Sequence, residues 1–185
     1  DDEPATIVYA MPLDSGIIKK QVEFHDAVYG LASPFTQEAK VLFKTQMRFA
    51  DVTWGNNQVA LVTEVLRGKQ ASKVSLYSPA KGTMETLYER NLTDAYRNPG
   101  SPVRAKNSFG REVIQLTDGG TKILMNNPVG SSDQGDLPFI AKFDLSTKNN
   151  EIIWRAKPGN FEQVEEVIDE EKGIVLSRKE SQTEV

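Results

Sequence analysis

The sequence predicts an all-β chain, and three observations carry that reading. The first is the stretch 139–154, FIAKFDLSTKNNEIIW. There the apolar residues Phe139, Ile140, Ala141 and Phe143 run into a polar turn at 144–150 and out again into Ile152-Ile153-Trp154. Two short β-prone runs with turn formers between them read as a β-hairpin. The second observation is that this hairpin is written three times, with earlier versions at 28–43 (VYGLASPFTQEAKVLF) and 74–88 (VSLYSPAKGTMETLY). Setting Pro34 on Pro79 also sets Leu42 on Leu87, an offset of 45 residues; setting Pro79 on Leu145 sets Leu87 on Ile153, an offset of 66. The third is the continuous apolar run Val59 to Val62, which suits a strand covered on both faces. A strand-built repeat of about 40 to 50 residues is the mark of β-propeller blades. The expected architecture is therefore a partial β-propeller of four-stranded antiparallel blades, with about two complete blades and parts of two more.

In chain order the expected division is 1–45, an incomplete blade; 49–90, a blade; 101–157, a blade; and 161–185, the start of a further blade. The first segment opens with a strand-like run from Thr6 to Met11, and Pro12 with Asp14-Ser15-Gly16 makes a turn. Residues 17–25 are mixed and charged, suiting a connector or an edge strand. In the hairpin that follows, the turn holds Pro34, which fixes φ and cannot donate to a ladder.

The second segment reads as four strands, 49–54, 58–66, 73–78 and 84–89, and a turn-rich connector, 91–102, follows it. In the third, Ser101 to Ala105 opens the unit, Glu112 to Leu116 with Lys122 to Met125 supplies the second strand, and the hairpin at 139–154 closes it. The excess spacing of 66 against 45 is assigned to 91–102 and 126–136. In the tail, Phe161, Val164, Val167 and Ile168 fall at helical spacing with acids on the other face. The repeat position asks instead for a strand, and the repeat is given precedence.

Composition narrows the function classes. The chain has 185 residues, 38% of them hydrophobic and 26% charged, with a net charge of −4 spread along its length. That balance carries no nucleic-acid footprint, and no apolar run approaches the roughly 18 residues of a membrane span. With no cysteine, a disulfide framework, thiol catalysis and thiolate metal sites are excluded. The start at Asp1, with neither initiator Met nor signal peptide, suggests a processed chain or a piece of a longer one.

Each candidate for chemistry has a plainer explanation. His25 is the single histidine; as a general base it would need a nucleophile held nearby, and no G-x-S-x-G elbow exists. A solvated strand-edge histidine is expected. The carboxylates Glu162, Glu165, Glu166, Asp169, Glu170 and Glu171 lack calcium-loop spacing and read as a solvated acidic edge. Asp133 and Asp136 flank Gly135 in a loop, thin evidence for a cation site, and Asp118-Gly119-Gly120 is a hairpin-type turn. Asn91-Leu92-Thr93 matches a glycosylation sequon, a pattern short enough to arise by chance. Trp54 and Trp154 occupy strand positions and read as core. No catalytic, cofactor-binding or metal-binding residue is assigned and no cofactor is expected.

Several stretches taken together carry a resemblance. They are Ala32-Ser33-Pro34-Phe35-Thr36-Gln37-Glu38, Phe49-Ala50-Asp51-Val52-Thr53-Trp54, Val59-Ala60-Leu61-Val62-Thr63-Glu64, Asp94-Ala95-Tyr96-Arg97-Asn98-Pro99-Gly100-Ser101-Pro102, Gly135-Asp136-Leu137-Pro138-Phe139 and Ser177-Arg178-Lys179-Glu180-Ser181-Gln182-Thr183-Glu184. In this order they resemble the prolyl oligopeptidase family of serine peptidases, in its glutamyl endopeptidase-like (dipeptidyl aminopeptidase-type) branch, across nearly the whole chain. The family carries an N-terminal β-propeller and a C-terminal α/β-hydrolase domain that holds the catalytic Ser, Asp and His. This sequence looks like the later part of the propeller, so no catalytic residue carries over onto it.

The resemblance implies a non-catalytic segment that gates peptide access to a hydrolase domain. The implied partners are the α/β-hydrolase domain of the same parent protein and peptide substrates, with neither nucleic acid nor a membrane span. Open blade faces at both ends imply self-association or a longer folded protein. An exported or periplasmic bacterial setting is favoured, or an organelle. The alternative is a stand-alone propeller-like module binding a protein or glycan partner. An enzyme acting through His25 or the acidic tail is a distant third.

Overall fold

The structure is a computed structural model and describes residues 5–181; the polar start 1–4 and the end of the segment 161–185, with Gln182-Thr183-Glu184 of the resemblance, lie outside the described residues. The chain clusters into two compact units, Asp1–Leu92 with Lys106–Val113, and Thr93–Ala105 with Ile114–Val185.

The first unit begins with a three-stranded antiparallel meander: β1 (Thr6–Pro12), β2 (Asp26–Ala32) and β3 (Lys40–Thr45). Residues 13–25 form turns rather than an edge strand. Next comes a four-stranded sheet in strict chain order, β4 (Arg48–Trp54), β5 (Ala60–Leu66), β6 (Ala71–Ser78) and β7 (Thr83–Asn91). Every neighbouring pair in it is antiparallel. The inner strands β5 and β6 are buried along most of their length, as the continuous apolar run in 59–62 requires, while β7 exposes most of its side chains.

Val28, Phe43, Ala60, Val62 and Tyr77 form one buried cluster with Val8, Leu42, Phe49, Val52 and Trp54 packed against it, so both sheets of this unit share a core. Fully burying a large apolar side chain contributes about 1.5–3 kcal/mol. Phe43 adds ring contacts at 4.8 Å to Tyr77 and 6.2 Å to Phe49.

The second half of the chain adds β8 (Ser101–Pro102), β9 (Arg104–Lys106), β10 (Glu112–Ile114), β11 (Leu116–Thr117), β12 (Lys122–Asn127), β13 (Ser131–Ser132), β14 (Gly135–Asp136), β15 (Phe139–Asp144), β16 (Asn150–Arg155), β17 (Phe161–Asp169) and β18 (Ile174–Glu180). The main sheet runs β11-β12-β15-β16, and β8 also pairs with β12. Pro102 and Ser101 face Met125 and Asn126; Leu116 and Thr117 face Ile123 and Lys122. One strand position is thus filled by two short pieces, and the ladder continues across the gap through Val103 N to Leu124 O (2.8 Å) and Leu124 N to Gln115 O (3.1 Å).

This corrects the expected second strand. Residues 112–116 and 122–125 belong to separate strands because Asp118, Gly119 and Gly120, with φ of 50°, 68° and 90°, reverse the chain between them. Residues 112–114 pair instead with β9 as a separate hairpin, whose tip groups with the first unit. Part of the excess spacing therefore sits in 104–114, and another part in the β13–β14 hairpin within 126–136.

Ile123, Leu124, Met125 and Ile140 are the largest fully buried apolar side chains of this unit. The loop after β12 is held by Asn127, whose Oδ1 accepts from Val129 N and Gly130 N at 3.0 and 2.8 Å while Nδ2 donates to Asn98 O at 2.8 Å. Gly130 has φ +61°, and a Cβ there would stand 1.9 Å from Leu137 O.

The tail 161–169 is a strand, as the repeat position asks. Its register with β18 slips between Val164 and Glu166 and between Val167 and Asp169. A bulge sets two residues against one, which puts Val164 and Val167 on the same face despite a spacing of three and accounts for the helix-like pattern. Among the described residues no α-helix occurs, and none is long and apolar enough to cross a membrane.

Candidate functional site

The densest polar constellation lies in the first unit, around His25. Leu13 N donates to His25 O at 2.8 Å, folding the turn that carries Asp14 back onto the start of β2. The Asp14 side chain is fully buried; its Oδ1 accepts from Gly16 N at 2.9 Å, and its Oδ2 stands 2.8 Å from His25 Nδ1 and 2.6 Å from Arg48 Nη2. Arg48 also donates through Nη1 to Asp26 Oδ1 at 2.7 Å, and Phe49 N donates to Asp26 Oδ2 at 2.8 Å. One guanidinium thus bridges two carboxylates from different segments, which ties β4 to β2 and to the turn before it.

The electrostatics follow from this packing. Burial pushes the Asp14 carboxyl upward, but the donors His25, Arg48 and Gly16 N together with the Arg48 charge outweigh it and lower the pKa from 3.8 to about 2. Arg48 is correspondingly raised by its hydrogen bond to Asp14, against its own desolvation and with help from Asp26. The expected solvated histidine is therefore corrected: His25 is only 14% exposed and is held by a buried carboxylate. Nothing within 17–24 signalled that Asp14 would return to it. An aspartate–imidazole pair can orient a base, but no hydroxyl or amine is hydrogen-bonded to His25 among the described residues, so no nucleophile completes the pair.

A second buried charge set lies in the four-stranded sheet. Glu64 on β5 and Lys73 on β6 are direct cross-strand partners with Nζ to Oε1 at 3.0 Å, an ion pair rather than a well-directed hydrogen bond. Glu64 Oε2 accepts from Met47 N at 2.9 Å, and Lys73 Nζ donates to Gln46 Oε1 at 3.1 Å, so the pair also pins the turn between β3 and β4. Glu64 is wholly buried and Lys73 nearly so.

Between the 18–22 turn, the start of β4 and the turn after β5 lies an open groove of about 1020 Å³. His25 and Arg48 line it beside Phe49, Val65 and Leu66. Lys19, Lys20, Arg67 and Lys69 line it as well.

The remaining sequence candidates are dispersed. Glu162 Oε1 accepts from Ser177 Oγ at 2.6 Å, Glu170 Oε2 from Gln115 Nε2 at 2.9 Å, and Asp169 pairs with Lys172 at 2.9 Å. Asp136 Oδ1 is taken up by Ser131 Oγ at 2.8 Å inside its own hairpin. Among the described residues no three His, Cys, Asp or Glu side chains converge as metal ligands. Trp54 and Trp154 are half-buried, Trp54 against the core cluster and Trp154 opposite Ile140. Asn91 ends β7.

No protein-family profile matches the chain. It is 31% identical over 199 residues to the "Probable glutamyl endopeptidase, chloroplastic" of Oryza sativa subsp. japonica, and 32% identical over 200 residues to the protein of the same name from Arabidopsis thaliana. Each match covers 99% of this chain and 21% of the relative, so the chain spans about a fifth of the length of these curated relatives. Among solved structures, TolB from Acinetobacter baumannii overlays with a TM-score of 0.45 and 13% identity, covering 80% of this chain and 30% of that one. An oligogalacturonate lyase in complex with manganese overlays with a TM-score of 0.42 and 10% identity, covering 90% and 36%. At that level the overlays add nothing to the antiparallel topology described above.

Proposed function

We propose that this chain is a non-catalytic β-propeller segment of a glutamyl endopeptidase-like serine peptidase, gating peptide access to an α/β-hydrolase domain of the same parent protein. The observation that carries the reading is the match over 99% of the chain, at 31% and 32% identity, to two relatives named as glutamyl endopeptidases. The four-stranded meander β4–β7 supports it, because up-and-down sheets of four strands are the units of a propeller.

In this reading 1–45, 49–90, 101–157 and 161–185 are successive blades or parts of blades. The composite strand of β8 and β11 fills the first position of the third. The Arg48 bridge and the shared core then serve to hold adjacent sheets together. The test is a peptidase assay on the purified chain with fluorogenic glutamyl peptides. No turnover is expected; turnover that survives purification and is unaffected by serine-directed inhibitors overturns the reading.

A further inference from the structure

We propose that the groove between the 18–22 turn and the turn after β5 binds an acidic peptide segment. Besides Arg48, four cations line it, Lys19 and Lys20 from one segment and Arg67 and Lys69 from another, and no carboxylate does. All four are exposed, and among the described residues none of them has a carboxylate partner. Arg48 lines the same groove, but its charge is already met by Asp14 and Asp26. The local sign is opposite to that of the chain, whose net charge is −4. A cluster of like charges left unpaired in a concave site focuses a field that attracts anions.

Both carriers of charge are held in place. The turn with Lys19 and Lys20 is closed by Ile17 N to Asp14 O at 3.2 Å and Lys20 N to Ile17 O at 2.9 Å, so the buried Asp14 cluster anchors it. Arg67 and Lys69 sit on a tight turn closed by Gln70 N to Arg67 O at 3.1 Å, with Gln70 in the left-handed region at φ 51°.

The groove's other lining selects the class of anion. Ile18, Val22, Phe49, Val65 and Leu66 supply apolar wall, which suits a chain carrying carboxylates among apolar side chains. Phe49 is the single Phe, Tyr or Trp in the lining, and His25 beside it is already held by Asp14, whereas single-stranded nucleic acid is held on successive aromatic platforms. The volume of about 1020 Å³ is at the upper end of ligand pockets, which run to about 1,000 Å³. This site is independent of the peptidase reading.

The test is fluorescence anisotropy of the full chain with three labelled probes: a short peptide alternating glutamate and valine, its glutamine counterpart, and an oligothymidylate. The glutamate peptide is expected to bind tightest, and more weakly as salt is raised. Arg67→Glu with Lys69→Glu is expected to weaken it about tenfold. Lys19→Glu with Lys20→Glu reads the opposite wall and is expected to act likewise, keeping the test open if either pair misfolds. Lys81→Glu, on the exposed turn after β6, should leave binding unchanged. Equal binding of the glutamine peptide, indifference to both reversals, or equal or tighter binding of the oligothymidylate each overturns the proposal.

Discussion

Asp14 is buried yet ionised, because three donors and the Arg48 charge stabilise its carboxylate more than burial disfavours it. A carboxyl whose pKa is lower folded than unfolded stabilises the fold above the unfolded value of 3.8, and that contribution is lost as pH falls through about 2. Asp118, Asp144 and Asp169 are also held low: Asp118 by Lys142 and Thr117, Asp144 by the amides and hydroxyls of its own turn, Asp169 by Lys172. An acid titration followed by circular dichroism should lose structure below about pH 4. Asp14→Asn should be less stable at neutral pH and show a shallower loss across that window. Equal acid sensitivity in both proteins would contradict the account of Asp14. Sequence reasoning found His25 but not its surroundings, since Asp14 and Arg48 stand 11 residues before it and 23 after and meet it only through the turn and the β2–β4 contact.

The strand elements were far more legible than the site, and for a physical reason. In β4 to β7 the hydrophobic pattern and the turn residues agree at every step, so the expected strands lie close to the observed ones. The same holds for β15 and β16 around the turn 144–149, where Asp144 Oδ1 accepts from Ser146 N and Thr147 N at 2.9 and 2.8 Å. The composite strand of β8 and β11 was not legible, because a strand broken by an inserted hairpin leaves no continuous period to read. Nor was the Glu64–Lys73 pair, since nothing local says that two charges in neighbouring strands will face each other indoors.

That pair gives a sharp test by urea unfolding. Lys73→Met leaves Glu64 buried without its cation and should cost about 3–5 kcal/mol, whereas Glu64→Leu with Lys73→Leu should recover most of the loss. A double variant as unstable as the single one would mean that the pair itself, not the orphaned charge, supplies the stability. Gly130 offers a second test at this scale. At Gly82, where φ is +64° and space is open, alanine should cost about 1–2 kcal/mol. At Gly130 the added Cβ would also meet Leu137 O, so the loss measured by thermal melting should be clearly larger.

At the scale of the molecule, the two units carry exposed apolar side chains on their outlying strands: Ile7 and Met11 on β1, and Phe161, Ile168, Ile174 and Leu176 on β17 and β18. Exposed apolar patches on strands are interaction surfaces or association hazards. In the propeller reading neighbouring blades cover them. The isolated chain is therefore expected to associate as its concentration rises, with light scattering showing a smaller effect for Ile168→Ser with Leu176→Ser. A strict monomer at high concentration would leave those surfaces without the role given to them.

The central proposal is that the chain is a propeller segment gating access to a hydrolase domain of the same parent protein, so that free peptides would enter and folded proteins would not. The most direct measurement is kcat/KM of the full-length parent protein for one glutamyl peptide, free in solution and displayed on the surface of a stably folded carrier. The account predicts efficient cleavage of the free peptide and little or none of the displayed one. Equal cleavage of both would contradict it.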